Sequence, residues 1–185
     1  MSVKNSKVTI LGVAAAFVLP VLIAKLALDN GWFTQGATNK GELLQPTRDL
    51  STVFASEEPK WRLVYSLPAH CDQACENAIF SIHQVWMALG RETERAQATV
   101  LVSESSDATV IDKLGEEQNL HVVQVSENAL NRAITAEDSA TILLVDTLNN
   151  AMLRYPVSGD KQTAIQRSRD ILADVKKLLK LSRIG

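Results

Sequence analysis

The sequence has few of the residue types that carry catalytic and metal chemistry. Its 185 residues include three histidines, two cysteines and only 5% aromatic residues. It contains no Ser/His/Asp set, no glycine-rich phosphate loop and no zinc-ligand signature. Internal repeats and low-complexity tracts are also absent. These absences argue against the common hydrolase, nucleotide-binding and zinc-dependent classes.

An excess of positive charge is also lacking. The chain has 19 basic and 21 acidic residues. The charged residues before residue 26 are Lys4, Lys7 and Lys25. The remainder therefore carries 16 basic and 21 acidic residues, a net charge of −5. Such a surface does not attract a polyanion, so we expect no nucleic acid among the partners.

The two cysteines, Cys71 and Cys75, are too close in sequence to staple a fold, because a disulfide between them closes almost no loop. Their spacing therefore indicates local chemistry.

One long apolar run stands out from the rest of the chain. Residues 8–28 hold a single charge, Lys25, and in a helix they span about 31 Å, close to the hydrocarbon thickness of a bilayer. A cleaved signal peptide would have a shorter apolar region and a small-residue cleavage site, so we favour an uncleaved transmembrane anchor in contact with membrane lipid. Lys4 and Lys7 precede the run. The positive-inside rule then predicts a cytoplasmic segment at residues 1–7 and a single-pass protein of the inner membrane, with its C-terminal part on the periplasmic side.

The rest of the chain divides into an arm and one domain. Residues 29–60 have no sustained period and are punctuated by glycine and proline, as is typical of a linker or lead-in arm. Residues 61–185 are the predicted domain. Strands are predicted at 61–66, 98–103, 121–125, 141–146 and 151–155, and helices at 75–89, 107–118, 127–134 and about 162–181. With a hairpin between the last two strands, this order predicts an α/β fold: a thioredoxin-like mixed sheet with flanking helices, preceded by the transmembrane helix.

Cys71 and Cys75 fall in the turn between the first strand of the domain and its first helix. The positive end of a helix dipole lowers the pKa of a nearby thiol, so these cysteines are candidates for redox chemistry or thiol exchange. Two thiolates at this spacing also suit a soft metal such as Cu(I). A purely structural disulfide, or two idle thiols, remains the alternative.

The residues around this pair resemble those of the Sco/SenC family, the membrane-anchored thioredoxin-like proteins that help to build the copper centre of cytochrome oxidase. The resemblance is carried by His70-Cys71-Asp72-Gln73-Ala74-Cys75, by a helix that ends in Ala88-Leu89-Gly90, and by the late strand from Leu144-Val145-Asp146 to Leu153. It implies a copper ion held by Cys71 and Cys75. His70 is a further candidate ligand on different grounds, because it is adjacent to Cys71 in sequence and could reach the same ion; the resembling family often has a histidine at this position that is not a ligand. The resemblance also implies a role in the assembly of cytochrome c oxidase or of another respiratory complex.

Two absences before the late strand change this expectation, one measured against the Sco/SenC pattern and one against redox-active thioredoxins. The family's copper-ligand histidine lies just before the late strand, where this chain has residues 136–140 without a histidine, and no proline stands there to form the cis bond of a thioredoxin cleft. We therefore expect at most a weak thiol–disulfide oxidoreductase. The competing hypothesis is a non-catalytic thioredoxin-like interaction module that docks on a membrane respiratory complex.

Overall fold

The computed structural model describes residues 3–30, 38–115, 117 and 119–182. The chain separates into two units, one that ends at Thr38 and one that comprises Asn39–Gly185. In the first unit, helix α1 (Val3–Asp29) includes Pro20, and its part from Val8 to Asp29 is long and apolar enough to cross a membrane. Apolar side chains on all sides of this helix are exposed, which is typical of a helix that lies in lipid.

The second unit contains six strands and four α-helices among the described residues. In chain order these are β1 (Glu42–Asp49), β2 (Trp61–Ser66), α2 (Gln73–Met87), β3 (Ala96–Val102), α3 (Ala108–Leu114), β4 (His121–Gln124), α4 (Glu127–Ala133), β5 (Thr141–Val145), β6 (Asn150–Pro156) and α5 (Lys161–Leu181), with a short 3-10 helix at Gly90–Arg95. The strands form one mixed sheet in the order β1-β6-β5-β2-β3-β4. Strands β2, β3 and β4 are parallel, whereas β5 is antiparallel to both β2 and β6.

Alternation along the central strand separates two apolar layers. Trp61, Leu63 and Tyr65 of β2 point to the layer covered by α2, α3 and α5. Val64 points to the opposite layer, which the segment after β1 and helix α4 cover. The predicted order of elements, the mixed sheet and the helices on both faces are therefore confirmed.

Strand β1 was not predicted. It lies within residues 29–60, the predicted lead-in arm, and pairs with β6 as an edge strand, with Glu42 opposite Arg154 and Leu43 opposite Leu153. Its side chains are mostly exposed, so it lacks the apolar alternation by which a half-buried strand is recognised.

The arm is fixed to α5 by one buried carboxylate. Oδ2 of Asp174 accepts hydrogen bonds from the backbone N–H groups of Lys40 and Gly41, at 2.8 and 2.9 Å, and from the hydroxyl of Tyr155 at 2.9 Å. Burial, together with the negative charge of Asp174, raises the pKa of Tyr155, so this hydroxyl remains a donor. A Cβ at Gly41 would lie 2.5 Å from the Tyr155 ring, and only glycine fits that position without a shift.

Element boundaries differ from the prediction by a few residues. Helix α2 begins at Gln73 instead of Cys75 because Asp72 caps it, and α3 ends at Leu114. The predicted continuation of α3 to residue 118 includes Glu116 and Gln118, which lie outside the described residues.

Candidate functional site

Cys71 and Cys75 are joined by a disulfide at the start of α2. Cys71 lies in the loop before the helix and Cys75 in its first turn, with their Cα atoms 5.2 Å apart. This separation is within the ordinary range for a disulfide. The pair therefore links the loop after β2 to the helix that covers the centre of the sheet.

The two sulfur-bearing residues differ in exposure. Cys75 is 1% exposed and belongs to the core layer formed with Ala78 and Ile82, whereas Cys71 is partly exposed at the edge of that layer. An external thiol can therefore reach Cys71 but not Cys75. This asymmetry is compatible with directed disulfide exchange, in which one cysteine meets the partner and the other resolves the mixed disulfide.

Asp72, between the two cysteines, occupies the N-terminus of α2. Its Oδ1 atom accepts hydrogen bonds from the backbone N–H groups of Ala74 and Cys75, both at 3.0 Å. These amides, with the positive end of the helix dipole, are the groups that would otherwise stabilise a thiolate. The carboxylate of Asp72 thus opposes the activation of Cys71 that the sequence position predicts. The same charge acts on the buried Tyr65. Desolvation, and to a smaller extent the negative charge of Asp72, raise the pKa of the Tyr65 hydroxyl to about 12.

Asp107 holds the backbone of Cys71 in place. Its Oδ2 atom accepts the N–H of Cys71 at 3.1 Å, while Oδ1 caps α3 by accepting the N–H and the hydroxyl of Thr109. The hydrogen bond from the Thr109 hydroxyl, and to a smaller extent the one from the Cys71 backbone, lower the pKa of Asp107. The loop after β3 is further joined to the loop after β2, since the Ser106 hydroxyl donates to the carbonyl oxygen of Leu67 at 2.8 Å.

The loop before β5, where the resembling family has a histidine, is engaged in ion pairs. Asp138 is buried there; its carboxylate accepts the Thr135 hydroxyl at 2.6 Å and lies 3.3 Å from Nε of Arg48 and 3.2 Å from Nη1 of Arg154. Burial alone would raise the pKa of Asp138, but the hydrogen bonds from Thr135 and Arg154 outweigh it, so the net shift is downward. The negative charge of Asp138 is thereby paired with the positive charges of Arg48 and Arg154.

The three histidines are separated along the fold. His70 is exposed beside Cys71, His83 lies almost three turns into α2, and His121 on β4 is hydrogen-bonded to Glu57 at 2.9 Å. The described residues contain no group of three or more His, Cys, Asp or Glu side chains placed to hold a metal ion. After reduction of the disulfide, the described residues offer the two thiolates of Cys71 and Cys75, with His70 next to Cys71 in sequence. The thiolates are soft ligands that suit Cu(I). The histidine that the resembling family has before the late strand is not present among these donors.

Asp107 was missed as a site residue, although two signals indicate it. An aspartate directly before an amphipathic segment is a helix N-cap signal. In addition, the C-terminal ends of parallel strands meet at one edge of a sheet, so the loops after β2 and β3 become neighbours.

Comparison with known proteins agrees with the fold. Residues 61–182 match the family model of the transmembrane-like, thioredoxin-like C-terminal domain, which confirms the predicted thioredoxin-like arrangement. No curated protein matches the chain.

Similar solved structures include Sco proteins. ScoI from Bradyrhizobium japonicum with copper bound is 16% identical, with 70% of this chain and 98% of that chain covered and a TM-score of 0.43. ScoI from Arabidopsis thaliana with copper bound is 9% identical, with coverage of 74% and 98% and a TM-score of 0.46. A SCO1/SenC family lipoprotein from Bacillus anthracis is 12% identical, with coverage of 79% and 98% and a TM-score of 0.46.

Proposed function

The chain belongs to the family of transmembrane-like, thioredoxin-like C-terminal domains, and from that premise we propose that it is a membrane-anchored accessory factor for the assembly of a copper-containing respiratory oxidase. In this proposal residues 8–28 hold the domain at the periplasmic face of the inner membrane, and Cys71 and Cys75 exchange thiols with cysteines of an oxidase subunit. The chemistry is supported by one observation above all: a disulfide at a loop-to-helix turn with a single accessible cysteine. The choice of target rests on the resemblance of residues 70–75 and 144–153 to the Sco/SenC motifs.

The exchange has two balanced steps. The reducing direction starts from the pair after an external dithiol has reduced its disulfide. The Cys71 thiolate attacks a disulfide of the target, a bond forms between Cys71 Sγ and one target sulfur, and the other target sulfur leaves as a thiolate. Cys75 then attacks Cys71 Sγ, the bond to the target sulfur breaks and that sulfur leaves as a second thiolate, so the target gains two electrons and the Cys71–Cys75 disulfide forms again. The carboxylate of Asp72 favours this direction, because a couple whose thiolate is poorly stabilised is a weak oxidant and its dithiol form is a better reductant.

Cu(I) is a second candidate, as cargo of the reduced pair. Cys71 and Cys75 supply two soft thiolates, and the exposed imidazole of His70 is adjacent in sequence. Because Asp138 and its arginine partners take the place of the family's histidine loop, we expect weaker copper retention than in a three-ligand site. A non-catalytic docking module remains the competing hypothesis, and the same loop favours it.

One experiment separates these three hypotheses. The full-length protein in detergent micelles is reduced, freed of reductant and titrated with Cu(I) against a competing chelator, and a parallel sample is titrated with dithiothreitol and its oxidised form. Thiol exchange predicts a defined equilibrium between dithiol and disulfide that Cys71→Ala abolishes. Cu(I) cargo predicts binding that Cys71→Ala also abolishes and that His70→Ala weakens if His70 is a ligand. The absence of both signals would leave only the docking module.

Two further measurements test the membrane topology and the expected lack of general disulfide reductase activity. A C-terminal alkaline phosphatase fusion should be active in bacterial cells, since Lys4 and Lys7 retain the N-terminus in the cytoplasm; an inactive fusion together with an active cytoplasmic reporter would refute this topology. Insulin reduction with dithiothreitol should proceed near the uncatalysed rate, because residues 135–141 contain no proline to form a thioredoxin cleft. Turnover like that of a thioredoxin would instead assign the protein to the general oxidoreductases.

A further inference from the structure

An open groove runs between helices α2 and α3 and begins at Cys71. Its volume is about 250 Å³. The side chains that make it apolar come from both helices and from the segment after α3: Cys71, Ile79, Phe80, Val110, Leu114 and Leu120. Ile79, Val110 and Leu114 are packed into the adjoining core, so the floor of the groove is fixed by the same layer that buries Cys75.

The dimensions suit one large apolar side chain. An apolar cavity of about 150 Å³ is sufficient to bind benzene, so the space between α2 and α3 accommodates a leucine- or phenylalanine-sized group. The ring of Phe80 forms an outer wall and is 58% exposed. Covering this ring would remove apolar surface from water, which is a favourable contribution to binding.

The position of the groove relative to the disulfide identifies what approaches it. Cys75 is shielded, so a thiol that exchanges with the pair must attack Sγ of Cys71, and Cys71 itself lines the groove. The chain that carries the attacking thiol therefore lies against α2. Its charge environment is acidic at that end, because Asp72 and Glu76 are exposed on α2 and Asp107 is hydrogen-bonded to the backbone of Cys71. Lys113 also lines the groove, but it lies in the last turn of α3, at the opposite end of that helix from Asp107.

We propose that this groove is the recognition site for the cysteine-bearing segment of the target: a large apolar residue next to the target cysteine enters between α2 and α3, and a basic residue on the same segment lies near Asp72 and Glu76. The inference rests on the proposed thiol exchange. Both directions of the exchange pass through the same mixed disulfide at Cys71, so the oxidising direction tests the same recognition site. With the oxidised protein, the target thiolate attacks Cys71 Sγ, the Cys71–Cys75 bond breaks, and Cys75 leaves as a thiolate that takes a proton from water. A target that carries a second thiol then displaces Cys71 and leaves as a disulfide.

The test compares two short peptides of equal length, each with one cysteine. One carries leucine and lysine beside the cysteine, and the other carries serine and glutamate. Each is mixed with the oxidised full-length protein in detergent micelles, and the mixed disulfide at Cys71 is followed by mass spectrometry. We expect the leucine–lysine peptide to react about tenfold faster, the lower end of what one apolar group in a hydrophobic pocket provides.

Paired variants locate the preference in the groove. Phe80→Ser should remove most of it, and its control is Met87→Ser, because Met87 is 44% exposed on the same helix but does not line the groove. Glu76→Gln should reduce the advantage of lysine, and its control is Glu94→Gln, an exposed carboxylate on the 3-10 helix. Phe80 is exposed, so its truncation leaves the core intact, and an unchanged midpoint of thermal unfolding checks this.

The outcomes distinguish the groove from the proposed function. Equal rates for the two peptides, together with normal exchange with dithiothreitol, would overturn the groove and leave thiol exchange standing. A preference that Phe80→Ser and Met87→Ser reduce equally would also overturn it. A preference that disappears as the protein dimerises at higher concentration would assign the groove to a second copy of the chain. Failure to exchange with any thiol would overturn the proposed function itself.

Discussion

Removal of the charge on Asp72 should activate Cys71. Asp72→Asn keeps a side-chain oxygen that can accept the N–H groups of Ala74 and Cys75, and asparagine is as good an N-cap as aspartate. The substitution therefore removes a negative charge beside the reacting sulfur with little effect on the helix. We expect the thiolate of Cys71 to become easier to form.

The size of the effect follows from electrostatics. Two unit charges about 4 Å apart interact by about 1 kcal/mol in bulk water and by about 4 kcal/mol near a protein surface. Because Asp72 is exposed, we take the lower end, about 1.4 kcal/mol, which corresponds to a tenfold increase in the thiolate population. A more stable thiolate is also a weaker nucleophile, with a Brønsted coefficient of about 0.4–0.5, so the alkylation rate at neutral pH should rise about three- to fourfold.

The assay measures alkylation of Cys71 by iodoacetamide as a function of pH, in a Cys75→Ala background so that a single thiol reacts. Asp72→Asn should move the midpoint of the rate profile to lower pH by about one unit. Glu94→Gln provides the control, because it removes a carboxylate that is also exposed but lies on the 3-10 helix after the C-terminal end of α2, whereas Asp72 caps the N-terminal end. A midpoint that does not move, or that moves equally in both variants, would refute the assignment of Asp72 as the group that restrains Cys71.

Three other outcomes follow from the structure. Asp174→Ala should lower the free energy of unfolding by about 3–5 kcal/mol in urea titration, because it leaves three donors without their acceptor. Tyr155→Phe removes one of these donors and leaves the carboxylate in place, so it should lower the free energy of unfolding by only about 1–2 kcal/mol. Equal losses in the two variants would contradict this account. Gly41→Ala should destabilise the protein in the same assay by forcing the Tyr155 ring to move, and a neutral effect would show that the ring gives way freely. Asp107 has a lowered pKa in the folded state, so the stability that it contributes is present above the ordinary aspartate value of about 3.9 and is lost as the pH falls through the lower, folded value. Asp107→Asn should therefore reduce the loss of stability at acid pH, measured by thermal unfolding at different pH values. An unchanged loss would exclude Asp107 as its source.

Much of the fold could be predicted because the signals are local. The continuous apolar residues of β3 and β5, the helical period of α2 and α5, and the turn at Asn149–Asn150 each depend on a few consecutive residues. Asn149 has the positive φ, 65°, that such a turn requires, and its side chain tolerates that conformation. Strand β1 could not be predicted in this way, because an exposed edge strand is defined by its partner β6 and not by its own pattern.

The sequence by itself determined that there is one apolar helix before one α/β domain, and that Cys71 and Cys75 lie at a strand-to-helix turn, because hydrophobic period and residue spacing are properties of short segments. Only the tertiary structure decided which of the two cysteines is accessible and which carboxylates surround it. Cys75 is buried because the sheet and α2 close over it, and Asp107, thirty-six positions after Cys71, reaches its backbone because parallel strands β2 and β3 end at the same edge. Such contacts between distant segments depend on how the strands are ordered in the sheet, which no local pattern encodes.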